Sequence, residues 1–279
     1  PAMSHARAVS LMIVVTLLWS IAGVVTRHLD AARSFEVTFW RSLFNALTLA
    51  VALTALRGPS LWRKLPQWPA AVWISGVCWA VMFTAFMIAI TLTTVANVLV
   101  TMAVGPLVTA LFARLFLRHR LPARTWAAIA VAGLGIAWMF GREAQAGVSL
   151  AGTFVALAVP LAAAVNWTML QHIGGRADGQ TEGAQDMLPA VWIGAVLSAA
   201  ATLPLALPLQ ASTHDLALLA LLGSVQLAIP CLLVVRLSRE LPAPEIALLA
   251  LLEVVFGVAW AWLGAGETPS SATLAGGAL

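Results

Sequence analysis

Residues 96–140 read ANVLVTMAVGPLVTALFARLF, then LRHRLPART, then WAAIAVAGLGIAWMF: an apolar span, a short basic hinge carrying Pro122, and a second apolar span. A bilayer crossed twice explains this pattern economically, because its hydrocarbon core takes about 20 apolar residues per helix. Asn97, Thr101 and Gly105-Pro106 recur about every four residues, which lines polar and small groups along one helical face. A similar unit returns at residues 245–267, EIALLALLEVVFGVAWAWLGAGE. Setting His119 on Glu267 gives an offset of 148, which also lays Asn97 on Glu245 and Gly105 on Glu253.

The remainder of the chain has the same character. It is 61% hydrophobic and 9% charged, with a mean hydropathy of +0.95. Soluble domains carry about 25% charged residues, so the soluble globular class is excluded. The isoelectric point of about 10.4 does not point to nucleic acid. The basic residues sit in short loops between apolar runs, where they report topology. Cys78 and Cys231 lie inside apolar runs and read as packed free thiols, with no metal-ligand spacing. Pro1 and Ala2 ahead of Met3 read as a cloning remnant. The first apolar run is too long for a signal peptide and lacks a small-residue cleavage site. No HExxH, nucleophile elbow, P-loop or paired intramembrane aspartates are present. The expectation is therefore no enzyme, no cofactor and no metal.

Nine spans are expected, at Val9–Val25, Phe35–Leu56, Ala70–Ile90, Thr94–Phe116, Thr125–Phe140, Leu150–Gln171, Met187–Leu207, Leu216–Arg236 and Glu245–Leu263. A tenth starts at Ser270 and stops at Leu279, about half a bilayer at 1.5 Å per residue, so it is expected to be incomplete. With the N-terminus cytoplasmic, 11 Lys and Arg residues fall inside and 3 outside, with Arg41 within a span. That bias places the N-terminus in the cytoplasm. Five spans per half is an odd number, so two halves, 1–148 and 149–279, must be inverted relative to each other. The fold class is an all-α polytopic membrane protein of ten helices in two inverted five-helix repeats. Such repeats hold a substrate near the midplane, at their interface, and rock to give alternating access.

Four segments carry a family resemblance: LLWSIAGVVTRH (17–28), FWRSLFNALTLA (39–50), GPLVTALFARLFLRHRLP (105–122) and LLEVVFGVAWAWLGAGETP (251–269). They resemble the bacterial EamA-type members of the drug/metabolite transporter superfamily. Arg118-His119 stands where that family usually shows Gly-Glu, and Val254 where it usually shows Pro. The resemblance implies outward movement of small metabolites. The 12 tryptophans and absence of tyrosine are similar to what exporters of aromatic amino acids show.

Candidate substrate-binding residues are Trp19, Trp79, Phe83, Asn97, Thr101, Asn166, Trp167, Gln226, Glu253 and Trp260. The indoles and Phe83 offer stacking surfaces, and equally helix packing. Asn97, Thr101, Asn166 and Gln226 must find partners in lipid, either as interhelical contacts or along a wet cavity. Glu253 has two readings, holding a substrate ammonium or packing between helices. Glu245 reads as an acid at a helix N-terminus. Arg41 also keeps two readings: it meets a substrate carboxylate, or it pairs with Glu36 near the outer surface. Trp62, Trp68, Trp73, Trp126 and Trp138 read as interfacial belt residues. Gly133 and Gly135 suit packing within the protomer, with a dimer left open. Partners are a small-molecule substrate and membrane lipid, with no nucleic acid. The preferred reading is a secondary exporter of amino acids with aromatic or large apolar side chains. Its alternatives are a broad exporter of drug-like or lipophilic cations, and a non-transporting membrane scaffold or intramembrane enzyme.

Overall fold

The computed structural model describes residues 4–32, 34–118, 120, 122–145, 150–177 and 186–266. His119, Glu267, the 148/149 boundary and the expected tenth helix lie outside the described residues. The described chain is all helical. We number the long helices α1 (His5–Thr26, interrupted at Ile21), α2 (Ser34–Arg57), α3 (Ala70–Leu92) and α4 (Val95–Met102 continued by Gly105–Leu117). Then follow α5 (Ala123–Gln145), α6 (Ala151–Ala177), α7 (Leu188–Ala206), α8 (Thr213–Leu237) and α9 (Ala243–Gly264). All nine expected spans fall on these helices. Eight are long and apolar enough to cross a bilayer, and α5 carries a shorter apolar stretch, Trp126–Gly135. The chain is an integral membrane protein.

These helices are apolar on every side, and their large outward residues include Val51, Phe116, Leu134 and Leu263, each about 70% exposed or more. An all-round apolar helix belongs in hydrocarbon, where each backbone amide must be satisfied within the helix. What faces inward is instead small or polar. Gly76 and Gly194 let α3 and α7 cross closely: a Cβ on Gly194 would lie 2.4 Å from the Trp79 Cβ. Ser198 on α7 accepts a hydrogen bond from Ser42 of α2 (2.9 Å) and shares another with Thr84 of α3 (2.7 Å). Small residues and hydroxyls of this kind hold helices together where lipid offers no hydrophobic drive.

The packing has a two-fold pattern. α2 packs on α7 and α4 on α9. Each other major contact has a counterpart five spans away: α3 on α6 with α1 on α8, α3 on α7 with α8 on α2, α4 on α6 with α9 on α1. Two five-span units, inverted because five is odd, generate this exchange. Helix irregularities follow the same register. α4 breaks at Ala103-Val104, ahead of Pro106, and α9 breaks at Leu251, 148 residues after Ala103.

Two carboxylates tie loops down at one end of the bundle. Asp215, in the first turn of α8, accepts the backbone N–H groups of Asp30, Ala31 and Ala32 at 2.6–3.0 Å and closes a capping box with Ser212. Glu36, in the first turn of α2, accepts the N–H groups of Gln210 and Ala211 at 2.7–3.0 Å and the indole N–H of Trp40 at 2.9 Å. Each acid therefore holds the loop preceding the other's helix. At the other end Trp62, Trp68, Trp73 and Trp192 cluster with ring centroids 4.7–6.2 Å apart. His5 reaches Glu245 there at 2.6 Å, and Arg57 reaches Asp186 at 2.8 Å.

Candidate functional site

A cavity of about 100 Å³ lies at the centre of the bundle. It is bordered by α1, α2, α3, α4, α6, α8 and α9, so both five-span units contribute walls. Small-molecule sites are mostly apolar with a few placed polar groups. This cavity has that character.

Its bordering helices are the irregular ones. α4 reaches it at Gly105-Pro106, α6 at Pro160, and α9 at Leu251. α8 reaches it through a π-helical segment, Leu222–Ala228, followed by Pro230. Pro106, Pro160 and Pro230 each lack an amide hydrogen and free a carbonyl one turn back. Irregular backbone survives at membrane depth only when buried in protein or lining a cavity. Gly223 seats the π segment on α2: a Cβ there would come 2.6 Å from the Phe44 Cβ and 2.7 Å from the Arg41 carbonyl oxygen.

One wall is aromatic. Trp79 stands edge-on to Trp167 (centroids 5.3 Å, 78°) and stacks on Phe83 (5.6 Å, 27°). Phe86, one turn further along α3, takes the Arg41 guanidinium over its ring at 5.6 Å. Trp19 borders the cavity from α1, and its carbonyl accepts a 2.9 Å hydrogen bond from Gln226 Nε2. That bond orients the amide and leaves Gln226 Oε1 buried without a partner.

Of the ten expected residues, the cavity gathers Trp19, Trp79, Phe83, Trp167, Gln226 and Glu253. The other four sit elsewhere. Asn97 donates to the Thr93 hydroxyl at 3.3 Å, at the turn ahead of α4, and Thr101 donates to the Asn97 carbonyl at 2.6 Å, within α4. Asn166 is fully buried, and its Oδ1 accepts from Ser75 at 2.6 Å, joining α6 to α3 beside the cavity. Trp260 is 43% exposed on the outside of α9. Spacing explains the split: Gly105 shares the Asn97–Thr101 face in an unbroken helix, and the break at Ala103-Val104 ends that continuity.

Arg41 corrects one reading. It does not pair with Glu36, which serves the loop and Trp40. Five residues along a helix rotate a side chain by about 140°, so the two point to different faces. Arg41 borders the cavity at 3% exposure, and its Nε and Nη1 find no hydrogen-bond partner. Thr109, Met82, Met102 and Cys231 also border it. Their sequence signal was weak, since Met and Thr within spans read equally as packing.

This is an integral membrane protein with a central cavity between two inverted units, five helices of the first and four of the second lying among the described residues. Residues 6–141 match the model of the EamA-like transporter family. An uncharacterized transporter of Pseudomonas aeruginosa is 26% identical over 144 residues, covering 50% of this chain and 48% of the relative. The chain thus spans about half the length of the curated relative it matches. A solved crystal structure shares the fold over 99% of this chain and 94% of its own, with a TM-score of 0.68 at 19% identity.

Proposed function

We propose that the protein is a secondary transporter that exports small metabolites, foremost amino acids with aromatic or large apolar side chains. The observation that carries this reading is the central cavity, walled by both five-span units and faced with Trp79, Phe83, Trp167 and Trp19. An aromatic side chain stacks on such a wall at a gain of about 0.5–1.5 kcal/mol per ring pair beyond area burial. Placing the cavity between two inverted units, 1–148 and 149–279, supports alternating access by rocking of one unit against the other. The irregular segments at Gly105-Pro106, Leu222–Ala228 and Leu251 give the rocking units flexible points beside the substrate. The excess of basic residues on one side supports a cytoplasmic N-terminus in a bacterial inner membrane.

The competing reading, export of lipophilic cations, draws on Glu253, which borders the cavity at 9% exposure. Arg41 in the same cavity opposes it, because a cation there meets like charge in a low-dielectric site. Proteoliposomes loaded with a panel of labelled solutes separate the two. The amino-acid reading expects efflux of L-tryptophan and L-phenylalanine well above that of glycine or tetraphenylphosphonium. Efflux of the phosphonium alone would replace it with the cation reading.

A further inference from the structure

Arg41 has Glu253 within electrostatic reach across the cavity but makes no ion-pair contact with it among the described residues. An arginine at mid-span costs at least about 2.5–3.5 kcal/mol on insertion scales, and such residues face cavities and pair with something. Arg41 is 3% exposed, and its Nε and Nη1 are buried with no acceptor. Arg41 and Glu253 belong to none of the ion pairs at His5–Glu245, Arg57–Asp186 and His214–Asp30. The ring of Phe86 faces the guanidinium carbon at 5.6 Å.

The other unsatisfied polar atoms of the cavity complete a pattern. Trp79 Nε1, a donor only, is buried without a partner, as is the Thr109 hydroxyl. Gln226 Oε1, an acceptor only, is likewise orphaned, and Glu253 is a second acceptor on the neighbouring α9. Donors without acceptors thus come from α2 and α3, an acceptor without a donor from α8, an unpartnered hydroxyl from α4, and a carboxylate from α9. All border one apolar, aromatic cavity. Buried polar groups left unmet are rare in folded proteins and call for a partner.

Building on the amino-acid reading, we infer that Arg41 is the carboxylate subsite of the cavity. Its fork, with the Trp79 N–H, reads a carboxylate, while Gln226 Oε1 and Glu253 read an ammonium. The ligand class is a zwitterion with both charges on one small head group and a bulky apolar tail. Arg41 is then the residue that sets specificity against amines. A guanidinium with a carboxylate forms paired charge-assisted hydrogen bonds, which neither lysine nor a neutral amide reproduces.

The test uses the full-length protein in detergent and reads ligand binding from intrinsic tryptophan fluorescence. Wild type is titrated with L-phenylalanine, 2-phenylethylamine, which lacks the carboxylate, and 3-phenylpropionate, which lacks the ammonium. Both truncated ligands are expected to bind about 10- to 100-fold more weakly than the amino acid, the span of one or two charge-assisted hydrogen bonds. In Arg41→Gln the preference for phenylalanine over phenylethylamine is expected to vanish, and Arg41→Lys is expected to restore part of it. Equal binding of amine and amino acid to wild type overturns the assignment while leaving a stacking cavity for aromatic solutes intact. Persistence of the preference in folded Arg41→Gln overturns it as well. The wild-type ligand series decides the matter if the variants do not fold. Loss of phenylalanine binding when gluconate replaces chloride assigns the guanidinium to an inorganic anion and overturns it. If no amino acid binds wild type while a lipophilic cation does, the amino-acid reading itself falls, and the subsite with it.

Discussion

At the scale of single residues, the tightest contacts involve atoms that are absent. Gly194 carries no side chain because Trp79 Cβ would stand 2.4 Å from one, with the Ala80 amide and the Gly76 carbonyl at 3.0 Å. Gly194→Ala must therefore push α7 away from α3 or shift Trp79. Overpacking of this kind costs about 1–3 kcal/mol. The expected result is a lower thermal midpoint in detergent and altered tryptophan fluorescence from the cavity wall. A variant with unchanged midpoint and spectrum would contradict the packing described for the α3–α7 crossing. Glu253 offers a second single-residue test. Glu253→Gln keeps a carbonyl acceptor beside Gln226, so amino-acid efflux is expected to fall without disappearing, whereas efflux of a lipophilic cation is expected to need the charge. Efflux rates of both solutes from variant proteoliposomes check this.

Single residues were also where sequence reading was weakest. The aromatic wall was legible, because Trp79 and Phe83 are four apart on one helix and reach the same side. Trp260 was misplaced, because an indole in a span looks the same whether it faces a cavity or lipid. Arg41 was legible as an anomaly, and its partner was not. Glu36 is close in sequence and helical rotation separates the two, while the cavity groups near Arg41 come from α8 and α9.

At the scale of elements, the π segment and the two carboxylate clamps carry distinct expectations. A π segment is one extra residue within an α-helix. Deleting Val225 removes that extra residue and is expected to restore α geometry with Ile229–Leu237 kept in register. Cys231, which borders the cavity and is 0% exposed, then stays in its site. Unchanged alkylation of Cys231 under native conditions checks this, and faster alkylation counts against the π segment as an absorbed extra residue. The clamps predict a local effect. Asp215→Ala strips the acceptors from the amides of Asp30, Ala31 and Ala32, which lie on exposed or half-buried residues and turn to water, at a net loss of about 1 kcal/mol per hydrogen bond. Hydrogen exchange at those amides should accelerate, with α5 unaffected. Neither feature was visible in the sequence. No residue in LGSVQLA marks a π turn, and Glu36 and Asp215 read only as acids favoured at helix N-termini.

At the scale of the whole molecule, sequence reading served best, because the bilayer limits the choices. A chain with 61% hydrophobic residues in runs of about 20 has few solutions besides a helix bundle. The 148-residue offset, read from His119 on Glu267, carries the α4 break onto the α9 break. Weak similarity sufficed there because a repeat constrains many positions at once. The central claim, that the two units alternate around the cavity as a carrier, is a statement about flux. Its most direct test is exchange across proteoliposome membranes, with labelled L-tryptophan outside and unlabelled L-phenylalanine loaded inside. A carrier that reorients faster when loaded predicts entry of label severalfold faster into loaded than into empty vesicles, with the stimulation abolished by Trp79→Ala. Equal entry into loaded and empty vesicles, or none into either, would contradict the account.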